Sequence, residues 1–468
     1  MNRLGRWFRE RLGLDVFQKV LGEHKVPAEV AGKKGWFYVF GNATLAMFLL
    51  QILSGIALAT LYVPSSEVAH ESLLNINDKA TFGWFLRALH FFGASAMVTL
   101  MLIHAARVFL TGSYKYPREA TWMFGVVLLV LTFGMAFTGQ LLRWDANGLY
   151  GAVVAAKFVA RVPLIGGALT DFVLAGESVS GATLTRFFAA HVLVLPILIA
   201  VCAGFHVFLV FHHGISEPPA SGRRVDPSGY RSWYAKLKER GVRYWPYVAW
   251  KEALFALLVF VVIVVLAIVL GPRGPGEPPD PGSIATNPKP DWYLLWYYAL
   301  LWIKPRTLES FVMVYAPILF LIFMFLLPIF ANKGERSPVR RPWAVAAVLL
   351  ALLAFVTLTF IGVRAPWFPE RVEPLTAADL ATDDPTVLSG SRVFNERGCQ
   401  LCHVVDGSGG NYGPDLTLVT NRLSNEEISL RIMNGIRDMP AYRDTLSREE
   451  LHEILVFLRH LGSTRRGR

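Results

Sequence analysis

The chain has 468 residues, of which 53% are hydrophobic and 17% charged, and its formal net charge is +11. So little charge, with several apolar runs near the ~20 residues a bilayer requires, excludes an ordinary soluble protein. The positive charge does not point to nucleic acid, because Lys and Arg collect in alternate loops between the apolar runs, the topogenic pattern of a polytopic membrane protein.

In the opening stretch "MNRLGRWFRERLGLDVF", Leu4, Trp7, Phe8 and Leu12 follow helical spacing beside Arg3, Arg6, Arg9 and Arg11. An interfacial helix on the cytoplasmic face is expected, with a soluble amphipathic helix as the alternative. The stretch is too charged for the apolar region of a secretory signal.

Seven spans are expected, at roughly 36–63, 84–110, 120–142, 186–213, 248–270, 308–331 and 342–363. The loop after the fourth carries Arg223, Arg224, Arg231, Lys236, Lys238, Arg240 and Arg243, and the loop after the sixth Lys333, Arg336, Arg340 and Arg341. The loop after the first has Glu67, Glu71 and Asp78 against Lys79. The positive-inside bias puts the N-terminus in the cytoplasm and everything after the seventh span outside. The stretch "GPRGPGEPPDPGSIATNPKPDWYLLWYYALL" before the sixth span begins rich in Pro and Gly, then turns apolar and aromatic without spanning length. It is expected to fold against the membrane surface or into a pocket. The fold class is therefore all-α: seven transmembrane helices plus a small extramembrane helical tail. Its expected parts are the interfacial segment (1–34), a four-helix bundle (35–215), a basic loop (216–247), a three-helix region (248–365) and the tail (366–468).

Four histidines lie inside spans: His90 and His104 on the second, His191 and His206 on the fourth. A lone buried His is usually a core residue, but four of them paired on two helices are costly in a bilayer and point to function. The spacings are 14 and 15 residues, which separates each pair by roughly 21–23 Å on one helix face. His90 is expected to meet His191 near the outer side and His104 to meet His206 near the inner side. Two stacked bis-imidazole sites are what two b-type haems need. Gly41 and Gly55 on the first span, and Gly125 and Gly139 on the third, repeat the 14-residue step; glycine there would let a porphyrin edge approach the backbone. Arg87, Arg107 and Arg186 near the span ends would pair with haem propionates, or are ordinary snorkelling arginines.

In the tail, "RGCQLCHVV" holds Cys399, Cys402 and His403, the attachment signature of a c-type haem. Met439, 36 residues after His403, is the expected second axial ligand, with Met433 as its rival. Residues 384–397 and 447–461 read as two terminal helices that pack together. The third cysteine, Cys202, lies in an apolar run and reads as packing. No Cys/His set suggests an iron–sulfur cluster, so any such cluster must come from another subunit.

The stretches "TFGWFLRALHFFGASAMVTLMLIHAARVFLTG", "YPREATWMFGVVLLVLTFGMAFTGQLLRWD" and "TLTRFFAAHVLVLP" resemble cytochrome b of the quinol:cytochrome c oxidoreductases, most nearly the four-helix haem subunit of the cytochrome bf complex. Residues 244–365, with "GEPPDP", "PKPDWY" and "SPVRRP", look like that complex's separate three-helix subunit IV. The tail resembles a single-haem class I cytochrome c, and "GPDL" (413–416) resembles its His-supporting loop.

The resemblance implies two haem b and one covalent haem c, with quinol and quinone as substrates. It implies an outer site that oxidises quinol and an inner site that reduces quinone. One electron would go to a Rieske iron–sulfur protein and then to the fused haem c; the other would cross through the b haems, moving protons. Pro290, Asp291, Trp292 and Tyr293 match the family's outer-site motif, where Glu is more usual than Asp. A proton acceptor is needed there, and Asp291 fits, with Tyr293 able to bond the ring oxygen.

Three departures from the family pattern stand out. Val39 replaces the Cys that would tether an extra inner haem; Arg143 stands where Pro is usual; Phe211 and His212 replace basic residues after His206. His212 or His213 would supply protons at the inner site, or is a surface histidine. Other implied partners are membrane lipid, a downstream soluble cytochrome or oxidase, and a second copy within a larger complex. The bacterial cell membrane is the implied location. A haem-bearing anchor for a dehydrogenase would explain the first four spans but neither the last three nor PDWY; a conduit with an inactive outer site is the other reading.

Overall fold

The computed structural model describes residues 23–176, 178–280, 287–366, 372–410, 413–436 and 439–465. The expected N-terminal interfacial helix lies outside them. The described chain is helical except for three antiparallel pairs of two-residue strands.

Helices α1 (Val39–Ala59), α2 (Ala69–Asp78), α3 (Gly83–Leu110), α4 (Glu119–Leu141), α5 (Ala146–Ala160), α6 (Gly166–Leu174) and α7 (Gly181–His213) form the first half. Helices α8 (Ala249–Leu270), α9 (Trp292–Ile303), α10 (Phe311–Phe330) and α11 (Pro342–Arg364) form the second. Seven of these, α1, α3, α4, α7, α8, α10 and α11, are long and apolar enough to cross a membrane. Their outer faces carry exposed Leu53, Phe208, Val262, Phe323 and Leu353, which suits a hydrocarbon solvent. Inside, Ala43 of α1, Ala88 of α3 and Ala267 of α8 are fully buried, and such small side chains let membrane helices approach closely.

Helix α7 starts at Gly181, earlier than its apolar run, because Ser180 and Thr183 form a capping box. A π turn over Ala190–Val194 then precedes Pro196. Proline cannot donate to the preceding turn, and a π turn absorbs one extra residue. This accounts for the unequal histidine spacing: 15 residues on α7 match 14 on α3.

The halves are tied together at both ends. On one side Lys115 Nζ donates to the carbonyls of Ala331 (2.8 Å) and Lys333 (2.6 Å), Arg336 is ion-paired with buried Glu217, and Arg341 Nη1 donates to Phe109 O at 3.1 Å. On the other side Arg87 Nη1 donates to Asn77 Oδ1 (2.8 Å) and Gly274 O (2.5 Å), and its Nη2 to Arg273 O at 2.6 Å.

The tail contains α12 (Pro385–Glu396), α13 (Cys399–Cys402), α14 (Asn425–Asn434) and α15 (Arg448–Thr464). Gly390 of α12 lies against Glu453 and Phe457 of α15, so the two terminal helices cross closely, with Phe394 and Phe457 rings 5.6 Å apart. Arg397 holds Glu450, which also closes the α15 capping box. The tail touches the membrane half where Ser178 Oγ donates to Asn434 O at 2.8 Å.

Candidate haem and quinol sites

The four histidines of α3 and α7 pair as the spacing predicts. Ring centroids of His90 and His191 are 6.3 Å apart, and those of His104 and His206 are 6.4 Å apart. An imidazole centroid lies about 1.1 Å from its nitrogen, and a first-row metal–imidazole bond is about 2.0–2.1 Å. Two such rings facing one ion therefore stand about 6.2–6.4 Å apart, so each pair fits a single iron between them. Among the described residues no group of three or more His, Cys, Asp or Glu could hold a bare metal ion. Two facing imidazoles supply the two axial donors of an iron whose remaining ligands would come from a macrocycle.

Ring orientation follows from hydrogen bonds. Ser54 Oγ donates to Leu50 O and so accepts from His90 Nδ1, at 2.9 Å. Thr138 Oγ1 donates to Met135 O; His191 Nδ1 lies 3.1 Å from that hydroxyl and 3.0 Å from the same carbonyl. With each Nδ1 donating, each Nε2 is left with its lone pair.

The four glycines back the rings. A Cβ would meet His191 Cε1 at 2.6 Å from Gly139, His104 Cε1 at 2.9 Å from Gly41, His90 Cε1 at 3.2 Å from Gly55 and His206 Cε1 at 3.5 Å from Gly125. The close approach is therefore to the imidazole edge. The residue before each glycine differs by level: Ser54 and Thr138 at the His90 level, Phe40 and Phe124 at the His104 level. Sequence reasoning passed over these hydroxyls, although the repeated Ser/Thr-Gly step was their signal.

The arginines divide. Arg107 stacks over the Tyr38 ring at 3.7 Å, and its Nε and Nη2 are buried with no hydrogen-bond partner among the described residues, which suits an anionic group near His104. The Arg87 guanidinium is occupied by Asn77 and the loop carbonyls. Arg186 is exposed, bonded to Asp171 O and set over Phe172. His212 is exposed at the end of α7, its ring 4.8 Å from that of His213.

The segment before the sixth span folds into a pocket. Asp291 N donates to Gln140 Oε1 at 2.9 Å, Tyr293 OH lies 3.1 Å from both Asp291 Oδ2 and Ala136 O, and Trp292 Nε1 reaches Ser95 Oγ at 3.3 Å. Pro290 leads this segment in, just after Lys289 N bonds Asn147 Oδ1. One cavity of about 450 Å³ is lined by His90, His191, Gly55, Gly139, Asp291 and Tyr293 together. Arg143 also lines it and forms an ion pair with Asp291 at 3.1 Å.

In the tail, His403 is buried and its Nδ1 faces Pro414 O at 2.8 Å, inside the GPDL loop. Gly413 backs the ring: a Cβ would meet His403 Cε1 at 2.4 Å. Cys399 and Met439 pack against the tail's core.

The family model for cytochrome b/b6/petB matches residues 26–214, and that for cytochrome b(C-terminal)/b6/petD matches residues 278–373. Cytochrome b6 of Synechococcus elongatus is 39% identical over 218 residues, covering 47% of this chain and 100% of the relative. The chain belongs to the cytochrome b/b6 family. Cytochrome b6 of Mastigocladus laminosus is 38% identical over 212 residues, 45% of this chain and 97% of that one. A chain described as "Hyperthermophilic respiratory Complex III" aligns with a TM-score of 0.64 and 26% identity, covering 78% of this chain and 92% of that chain. The tail matches the model for cytochrome C oxidase, cbb3-type, subunit III, at residues 385–458. This cytochrome b therefore carries haem b in its membrane bundle and covalent haem c on its tail, as a subunit of a quinol–cytochrome c oxidoreductase.

Proposed function

We propose that this chain is the catalytic core of a bifurcating quinol oxidase. His90 with His191, and His104 with His206, hold the two b haems; Cys399, Cys402 and His403, with Met439 as second axial ligand, hold haem c. When bound, these groups supply one-electron carriage: one electron of each quinol passes through a Rieske iron–sulfur partner to haem c, and the other crosses through the b haems to an inner quinone site. Asp291 accepts a quinol proton, Tyr293 orients the ring oxygen, and Pro290 and Trp292 set the segment that presents them. His212 serves proton uptake at the inner site, and Arg107 pairs with an anionic haem substituent. The chain lies in a bacterial cell membrane with its N-terminus in the cytoplasm and its tail outside. It works as a dimer in a larger complex that feeds a downstream soluble cytochrome or oxidase.

The cavity shared by the His90–His191 pair and by Asp291 and Tyr293 carries this reading. Quinol bound against Asp291 would sit at the margin of this enclosure, beside the space that the nearer haem would fill. Fusion of the tail keeps its haem at high effective concentration near the point of quinol oxidation.

The test uses the intact complex with the inner quinone site inhibited. Quinol is added, then a pulse of oxidant, and b-haem absorbance is followed. Transient extra reduction of haem b on oxidation is expected. Haem b remaining oxidised while haem c cycles would reduce the chain to a conduit or an anchor.

A further inference from the structure

Asp291 is bracketed on every polar atom of its side chain. Oδ1 lies 3.1 Å from Arg143 Nη1, and Oδ2 lies 3.1 Å from Tyr293 OH. Arg143 faces a second carboxylate as well: its Nε is 3.8 Å from Asp145 Oδ2. The Arg143 and Asp291 side chains are 15% and 18% exposed and Asp145 only 1%. Asp145 cannot move away, because Oδ1 accepts from Gly148 N at 2.9 Å as the cap of α5 and Oδ2 accepts from Gly276 N at 2.9 Å. One guanidinium therefore stands between a fixed carboxylate and the carboxylate that faces the quinol cavity.

That arrangement answers an energetic difficulty. Neutralising one partner of an ion pair shielded from water ordinarily leaves the other charge uncompensated, which is unfavourable. Here Arg143 keeps Asp145 as a partner when Asp291 becomes neutral, and its fork geometry can serve either carboxylate. We propose that Arg143 is a positioning residue for quinol oxidation. It holds Asp291 toward the cavity while ionised, and shifts onto Asp145 when Asp291 takes a proton. This rests on the reading of Asp291 as proton acceptor. In the step, a quinol O–H bond breaks and its proton passes to Asp291. The two electrons leave singly, one to the iron–sulfur partner and one to the haem held by His90 and His191. The second proton goes to the outer aqueous phase, and quinone remains. Release of the Asp291 proton to the outside returns Arg143 to its first position.

A double-mutant cycle on quinol oxidation by the whole complex tests this. R143M keeps volume without charge and is expected to lower kcat about 10-fold, leaving the quinol KM and the haem b and c spectra in place. R143K, which keeps the charge but not the fork, is expected to recover part of that loss. In the D291N background R143M is expected to cost nothing further. If R143M and D291N losses multiply, or if R143M and R143K match the native kcat, Arg143 does not act through Asp291, and the quinol-site reading still stands. A native rate in D291N alone would overturn the reading of Asp291 and this inference with it.

Discussion

The His90–His191 and His104–His206 pairs share ring separations of 6.3 and 6.4 Å, yet their surroundings differ. At the first level both Nδ1 atoms donate to oxygen, to Ser54 on one side and to Thr138 and Met135 on the other. At the second level Phe40 and Phe124 stand where Ser54 and Thr138 stand above, and the charged neighbour is Arg107, with two nitrogens that have no partner among the described residues. A hydrogen bond from Nδ1–H makes an imidazole a stronger donor and favours oxidised iron, whereas a buried cation favours reduced iron. With a haem held at each level, identical ligands would give two unequal redox centres, the more reducing one beside Asp291. The gradient would drive electrons from the quinol cavity toward the far pair.

The largest expected effect separates the two levels outright. H191A removes the haem next to the cavity, and H206A removes the other. Each variant should lose one of two b haems by pigment analysis, and only H206A should retain a b haem that quinol reduces through the Asp291 site. Loss of both haems in each variant would mean that the levels are not independent.

Glycine substitutions sharpen the contrast within each pair. G139A places a methyl 2.6 Å from His191 Cε1, too close without displacing the ring, and should strip most of the nearer haem. G125A meets His206 at 3.5 Å, ordinary contact, and should keep the far haem. Haem content of the purified complexes checks the order.

The smallest effect is the most diagnostic. S54A and T138A should each raise the midpoint potential of the nearer b haem by tens of mV, on the order expected for a ligand hydrogen bond. The far haem should not move. Redox titration followed by absorbance reads both, and equal shifts in both haems would remove the proposed origin of the gradient.

Much of this could be read from the residues. The spans come from hydropathy because a bilayer demands long apolar helices, and the second, expected at 84–110, is Gly83–Leu110. The histidine pairing follows from helical period alone. What the sequence hides are contacts whose partners are far apart. Arg143 reads as a departure from the family's usual Pro, and its partner Asp291 is 148 positions away. Arg87 reads as a span-end cation, for a propionate or for the membrane surface, but its guanidinium is taken by carbonyls 186 and 187 residues on. The π turn at His191 was implicit in the 15-residue step, although a step count alone does not say how a helix absorbs an odd residue.

The ties at both ends of the bundle also bear on why this is one chain. Lys115 and Arg341 fasten the halves on one side, and Arg87 and Asp145 on the other, all through contacts that do not use the connecting loop. Cleaving the backbone near Ala220 would leave those fastenings in place, so holding together is not what continuity contributes. What a single polypeptide guarantees is a fixed ratio: every bundle translated brings one outer segment and one haem c, and no half can accumulate without its mate.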